Sequence, residues 1–103
     1  MYVVAMDVFF TFSGQRFRWD VEKALSNQAK HGIRFEQACE VFFDPFVCLV
    51  DATADEEVRE AVLGLAEDWT LLFVVHAVRE AGVIRMISAR PATRGERRVY
   101  END

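Results

Sequence analysis

The spacing of apolar positions changes several times along the chain, and each change marks an element. Val21, Ala24, Leu25 and Ala29 recur at i, i+3, i+4 and i+8, one apolar face of a helix. Asp20 precedes them as an N-cap whose carboxylate can accept from first-turn amides, and Gly32 suits the left-handed C′ position. Lys30 and His31 fall in the last turn, where cations complement the helix dipole. A second stripe, Phe35, Ala38, Cys39, Phe42 and Phe43, predicts a helix from about Phe35. Asp44-Pro45 stops it, because a residue before proline avoids the helical region. The rings at 35, 42 and 43 are expected in the core.

Strand patterns follow. Phe46 to Val50 reads as a short strand, and Asp51 to Glu57 as an acidic loop. From Val58 to Ala66 two patterns compete. Val58, Val62 and Leu65 fit a helix, Val62, Leu63 and Leu65 fit a strand, and local propensity favours the helix. Trp69 to Val78 is apolar almost throughout, a central buried strand. Arg79-Glu80-Ala81-Gly82 reads as a turn, with Val83 to Arg90 returning and Pro91 ending the strand. An even-numbered loop places His76 and Arg85 on one face, directly opposite each other if it has four residues; an odd loop with a bulge breaks that inference. Thr93 and Glu96 form a capping box opening a last helix, with Tyr100 one turn beyond Glu96. At the start, Met1 to Gln15 is rich in Phe and Val and closes on the turn Ser13-Gly14. A strand over about Val3 to Phe12 and a loosely packed extension both fit it. Phe17-Arg18-Trp19-Asp20 reads as the lead-in to the first helix.

Composition narrows the class. A chain of 103 residues, half of them apolar and nine of them Phe, supports one globular domain with one core. No apolar run reaches the roughly 20 residues that span a bilayer, so no membrane partner is expected. Val8-Phe9-Phe10 follows Asp7 without a basic leader, which reads as structure rather than a signal peptide. Cys39 and Cys48 sit in apolar surroundings and read as buried thiols in a reducing cytoplasm; nothing demands a disulfide. There is no Gly-rich phosphate loop and no zinc-like Cys/His spacing, so no cofactor or metal is expected.

Charge then singles out one segment. The net charge is −5, yet six of the twelve Lys and Arg lie between Arg79 and Arg98. A local basic surface of this kind can hold a polyanion on an acidic protein. The acidic stretch from Glu40 to Asp68 reads by default as solvated surface.

Several of these pieces together resemble one family. Phe17-Arg18-Trp19-Asp20-x-Glu22-Lys23-Ala24, Asn27, Lys30-His31-Gly32, Phe35-Glu36-x-Ala38, Val41-Phe42 and Asp44-Pro45 are similar to the N-terminal half of BrnT toxins. Ile84-Arg85-Met86-Ile87-Ser88-Ala89-Arg90-x-Ala92-Thr93-x-x-Glu96-Arg97-x-x-Tyr100-Glu101 is similar to that family's C-terminal signature. The resemblance implies a RelE-like α+β domain, two N-terminal helices packed on a mainly antiparallel four-stranded sheet with a C-terminal helix. On that basis Val58 to Leu65 is expected as a strand. It further implies a metal-independent endoribonuclease toxin of a bacterial type II toxin–antitoxin pair, neutralised by a BrnA-type antitoxin. The complex would bind operator DNA through the antitoxin, and the Phe-rich start and sheet edges would suit a homodimer or a 2:2 complex. The chain departs from the pattern in a longer N-terminal segment, in its acidic middle, and at Pro91 and Gly95, where basic residues are frequent. The acidic balance, Pro91 and Gly95 favour a rival reading, an inactive binding module that keeps the fold and the antitoxin contact but has lost cleavage. A second rival is an unrelated nucleic-acid-binding regulator using the Arg-rich end.

RNA is cut without a metal when the 2′-hydroxyl attacks the neighbouring phosphate, which requires a base, cations on the phosphate and an acid for the leaving oxygen. Arg85 is the first candidate for the phosphate, its planar fork binding two oxygens, and Arg90 the second. In a regular strand these two point to opposite faces, so both serve one site only if the end of the strand bends. Histidine is the side chain that exchanges protons near neutrality, which nominates His76 and His31. A histidine in so apolar a strand as His76 is more often a hydrogen-bonded core residue. Tyr100 could stack on a base or serve packing alone. Lys30, Ser88, Arg94, Arg97 and Arg98 complete the expected RNA-binding set, with Ser88 equally readable as a structural hydroxyl.

Overall fold

The computed structural model describes residues 6–51 and 59–102. Its centre is a six-stranded mixed sheet in the order β1-β2-β6-β5-β4-β3, formed by Asp7–Phe12, Gln15–Asp20, Val83–Pro91, Leu71–Glu80, Arg59–Leu65 and Cys48–Asp51 respectively. Three helices complete it: α1 (Val21–His31), α2 (Phe35–Cys39) and α3 (Arg94–Glu101). From β2 the chain crosses one face of the sheet through α1, α2 and a 3-10 turn (Glu40–Phe43) to the far edge. It then returns as an antiparallel meander, β3 to β6, so that β6 ends parallel to β2.

This corrects the expected architecture. The helices are not N-terminal, because a β-hairpin precedes them, and the sheet has six strands rather than four. Phe17 to Asp20 is not a lead-in but most of β2. Alternation explains it: Phe17 and Trp19 are buried while Arg16 and Arg18 turn to the other face. The acidic loop over 52–57 lies outside the described residues, as does Val58. Arg59–Leu65 is a strand, as the resemblance implied and against local propensity. The α2 stripe is shorter than its spacing suggested: Phe35, Ala38 and Cys39 are buried, but the chain tightens into the 3-10 turn. Phe42 is half-buried there and Phe43 is 43% exposed, so the third ring is not core.

Aromatic rings fill the space between sheet and helices. Trp19 meets Phe35 edge-on at 5.6 Å, Phe17 meets Phe42 at 5.5 Å, and Phe10 reaches Trp19 at 5.8 Å. Each fully buried ring of this kind contributes roughly 2–3 kcal/mol by area alone. The 3-10 turn packs so tightly on β4 that a Cβ added at Gly64 would lie 2.8 Å from the Val41 carbonyl oxygen.

The β1–β2 and β5–β6 turns each use two residues at positive φ, Ser13-Gly14 and Ala81-Gly82, which match the right-handed twist of the strands they join. They touch one another: Gln15 Nε2 donates to the Gly82 carbonyl at 2.8 Å. Asp20 caps α1 by accepting from the Glu22 amide, and Gly32 closes it at φ 71°, as expected. Burial has raised the pKa of the Cys39 thiol, with Glu36 and Glu40 adding to the effect, while the Cys48 sulfur donates to the Phe46 carbonyl. No helix among the described residues is long and apolar enough to cross a membrane.

Candidate active site

The β5–β6 hairpin is interrupted twice, and the two interruptions decide which side chains meet. Its turn has two residues rather than the expected four, so a regular ladder would keep His76 and Arg85 on one face. The register slips between Ala77 and Glu80, and His76 comes to face Met86 while Ala77 faces Arg85. The expected His76–Arg85 pairing is therefore wrong. His76 lies in the core, 5% exposed, with its ring against Phe42 at 5.1 Å and Nε2 3.2 Å from Glu60 Oε1.

The second slip changes which residues of β6 share the face of Arg85. Val75 faces Ser88 whereas His76 faces Met86, so Ile87 is an extra residue on β6. Beyond it the alternation is reset. Arg85, Ser88 and Arg90 stand opposite Ala77, Val75 and Phe73, three alternate residues of β5, and hence share one face. Arg18 joins them, because β2 aligns it with Arg85.

Helix α1 borders this bulge. Beyond Arg85 no register pair joins β6 to β2, and Asn27 takes the place of a neighbouring strand. Its Nδ2 donates to the Ala89 carbonyl at 2.8 Å and to Ile33 at 3.0 Å, and its Oδ1 accepts from the Ala89 amide at 3.0 Å. Asn27 is the buried residue of α1, whereas Leu25 is 63% exposed and Ala29 is also on the surface. Between helix and bulge lies a shallow cleft of about 220 Å³, lined by Lys23, Ser26, Asn27, Lys30, His31, Ile87 and Ser88. Lys23, Asn27 and Lys30 recur at i, i+4 and i+7, so two ammonium groups line the helix side. Ser88 belongs to both the cleft and the arginine face.

Two of the other candidates are tied into the attachment of α3. Arg90 donates to both oxygens of Glu96 at 2.8 Å and lies 4.3 Å above the Phe73 ring. Those hydrogen bonds raise the Arg90 pKa further and hold that of Glu96 below the usual carboxylate range, against the opposing effect of burial. Glu96 also completes the expected capping box with Thr93. Tyr100 donates to Asp44 at 2.5 Å, and burial together with that carboxylate pushes its pKa up to about 12. Arg94, Arg97 and Arg98 are exposed on α3. Arg85 is held more loosely, with one contact of 3.8 Å to Asp7. The structure thus brings Ser88, Lys30 and His31 together at the bulge, sets Arg85 on the sheet face that Ser88 shares, and leaves His76 and Tyr100 elsewhere. Among the described residues no three His, Cys, Asp or Glu side chains are placed to hold a metal ion.

Sequence reasoning passed over Arg18, Lys23 and Asn27. The first was hidden once β2 was read as a lead-in. The others carried a signal, since they share one helical face with Lys30.

Comparison with known proteins finds a family by sequence and a relative by fold. The sequence model of a family described as the ribonuclease toxin BrnT of type II toxin–antitoxin systems matches residues 19–96. The 1.1 Å crystal structure of the Brucella abortus ribonuclease toxin BrnT is similar in fold. It has a TM-score of 0.60 and 26% identity, covering 74% of this chain and 94% of that one. No curated protein matches the sequence.

Proposed function

Since the chain belongs to the BrnT family of ribonuclease toxins of type II toxin–antitoxin systems, we propose that it is an endoribonuclease cutting RNA at the bulge of β6. The 2′-hydroxyl attacks the adjacent phosphorus, forming the P–O2′ bond and expelling the 5′-oxygen. A cyclic phosphate and a free 5′-hydroxyl result. Arg85 binds two phosphate oxygens and neutralises the charge that develops on them, and Lys30 adds a second cation. His31 accepts the 2′-hydroxyl proton, while water supplies the proton taken by the leaving oxygen. Ser88 hydrogen-bonds the phosphate, and Arg94, Arg97 and Arg98 hold flanking backbone. The reaction needs no metal, because side-chain cations carry the charge. A BrnA-type antitoxin silences the enzyme, and the complex binds operator DNA through that antitoxin.

One observation carries this reading: the register slip at Ile87 brings Ser88 and Arg90 onto the face of Arg85, and Ser88 also lines the cleft that holds the lysines of α1. A second reading, an inactive module that binds only the antitoxin, draws on the carboxylate partners already held by Arg85 and Arg90. Incubating purified protein with RNA in excess chelator, with and without the antitoxin, separates the two. Cleavage that survives chelation and stops on adding antitoxin is the expected result. Intact RNA alongside tight antitoxin binding would overturn the enzymatic reading.

A further inference from the structure

Strand β1 lies wholly outside residues 19–96, the part of the chain that matches the family. It is nevertheless built firmly into the sheet. Six residues pair with β2, from Asp7↔Asp20 to Phe12↔Gln15, and the Val21 amide at the start of α1 donates to the Met6 carbonyl at 2.9 Å. Val8, Phe10 and Phe12 pack against the core, with Phe12 5.3 Å from Phe43. Alternation then sends Asp7, Phe9 and Thr11 to the other face, where Arg18 and Arg85 lie. The hairpin therefore brings a carboxylate, Asp7, to the arginine at the centre of the site.

We infer that Asp7 is an intramolecular competitor of the RNA phosphate at Arg85 and sets the enzyme's affinity for its substrate. This rests on the reading of Arg85 as a phosphate-binding residue. The contact between Arg85 Nη1 and Asp7 Oδ2 is single and long, 3.8 Å, with the two side chains 33% and 30% exposed. Arg90 and Glu96, by contrast, share two hydrogen bonds at 2.8 Å. A loose, solvated pair of this kind adds little to stability, so it is poorly suited to fixing the guanidinium. It leaves room for an anion to bind the planar fork through two oxygens. An ionised Asp7 carries the same charge as a phosphodiester and sits beside the same donors. Incoming RNA must displace it or endure its repulsion, and salt screens that repulsion.

The test uses the full chain and a short 2′-O-methyl RNA, which binds without being cut, with Asp7→Asn, Arg85→Ala and the double variant compared at low and high salt. Asp7→Asn is isosteric, and β1 is held by backbone pairing and aromatic packing, so thermal unfolding verifies that the fold is kept. The expected result is about three- to tenfold tighter binding at low salt, shrinking as salt rises and absent in the Arg85→Ala background. Cleavage assays on unmodified RNA should show KM lowered by the same factor with kcat unchanged. Unchanged or weaker binding by Asp7→Asn, or a fall in kcat, overturns the inference and makes Asp7 inert or a positioning residue for Arg85. An Arg85→Ala protein that binds and cleaves like the wild type overturns the site reading, and this inference with it. Loss of function in Arg85→Ala with no effect of Asp7→Asn overturns the inference alone.

Discussion

Arg85 and Arg90 stand on the same face of β6 although they are five positions apart. In an unbroken strand an odd separation puts side chains on opposite faces. The extra residue at Ile87 changes the parity, and the resulting face carries a guanidinium on each side of the Ser88 hydroxyl. Bulges recur beside active sites because they re-aim side chains in this way.

Arg85 is the cation whose removal should be felt most. Arg85→Ala is expected to lower RNA cleavage by about 10²- to 10³-fold, the usual effect of losing one preorganised donor to a developing charge. Arg85→Lys should recover only part of it, since an ammonium cannot make two parallel hydrogen bonds to phosphate. Far-ultraviolet circular dichroism should be unchanged, the side chain being one-third exposed. His31→Asn should also slow cleavage, whereas His76→Leu should leave the rate close to wild type. Full activity in Arg85→Ala would remove the arginine face from the mechanism.

Part of the fold around this site could be read from the sequence, and the parts that could not have a common cause. The cap at Asp20, the stop at Gly32 and the Thr93–Glu96 box are local signals fixed by neighbours within four residues, and they stand in the structure as expected. Which face Arg85 shares with which histidine is instead a question of register. The slip between Ala77 and Glu80 decided it, as the one at Ile87 decided whether Arg90 joins Arg85, and neither leaves a mark in composition or periodicity. Asn27 shows the same limit from another side. Helical periodicity nominated Leu25 and Ala29 for burial, but tertiary context selected the polar residue, because the edge of β6 needed both a donor and an acceptor.

That requirement makes Asn27 a structural residue of the site. Asn27→Ala leaves the Ala89 amide and carbonyl without the partners they have now. Each buried backbone group stranded in this way costs about 1–3 kcal/mol. Urea unfolding should lose about 2–4 kcal/mol with an unchanged m-value, and cleavage should fall because Ser88 adjoins Ala89. A loss below about 0.5 kcal/mol would mean that water replaces the carboxamide.

Gly64 tests the seat of the 3-10 turn on β4. A methyl group there would meet the Val41 carbonyl oxygen at 2.8 Å and the Val41 Cβ at 3.0 Å. The nearer obstacle is backbone, so it cannot swing aside. Gly64→Ala is expected to destabilise the fold by about 1–3 kcal/mol through overpacking. Because the strain lies at β4, RNA binding by the folded fraction should be unaffected. A neutral substitution would show that the turn can lift from the sheet at little cost.

The attachment of α3 should depend on pH at both ends of the scale. The helix buries none of its own residues, so polar ties at its two ends hold it: Glu96 to Arg90, and Tyr100 to Asp44. The Arg90 hydrogen bonds keep the Glu96 pKa low. Burial would raise the pKa of Asp44, but hydrogen bonds from Tyr100, Leu65 and Phe46 outweigh it and bring that value down as well. A carboxylate depressed in the fold stabilises it above the unfolded value near 4, and the benefit is lost as pH falls through the folded value. Tyr100 runs the other way. Its pKa of about 12 exceeds the ordinary value near 10, so its contribution is complete below 10 and lost as pH rises through about 12. Helical circular dichroism and urea stability should therefore decline between about pH 5 and pH 3, and Glu96→Gln should flatten that decline. In a Tyr2→Phe background the remaining phenolate absorbance should titrate near 12 rather than 10. Tyr100→Phe should cost about 1–2 kcal/mol of stability yet leave cleavage intact, since the hydroxyl is committed to Asp44. A Tyr100→Phe enzyme that folds normally but no longer cuts RNA would return this tyrosine to the chemistry.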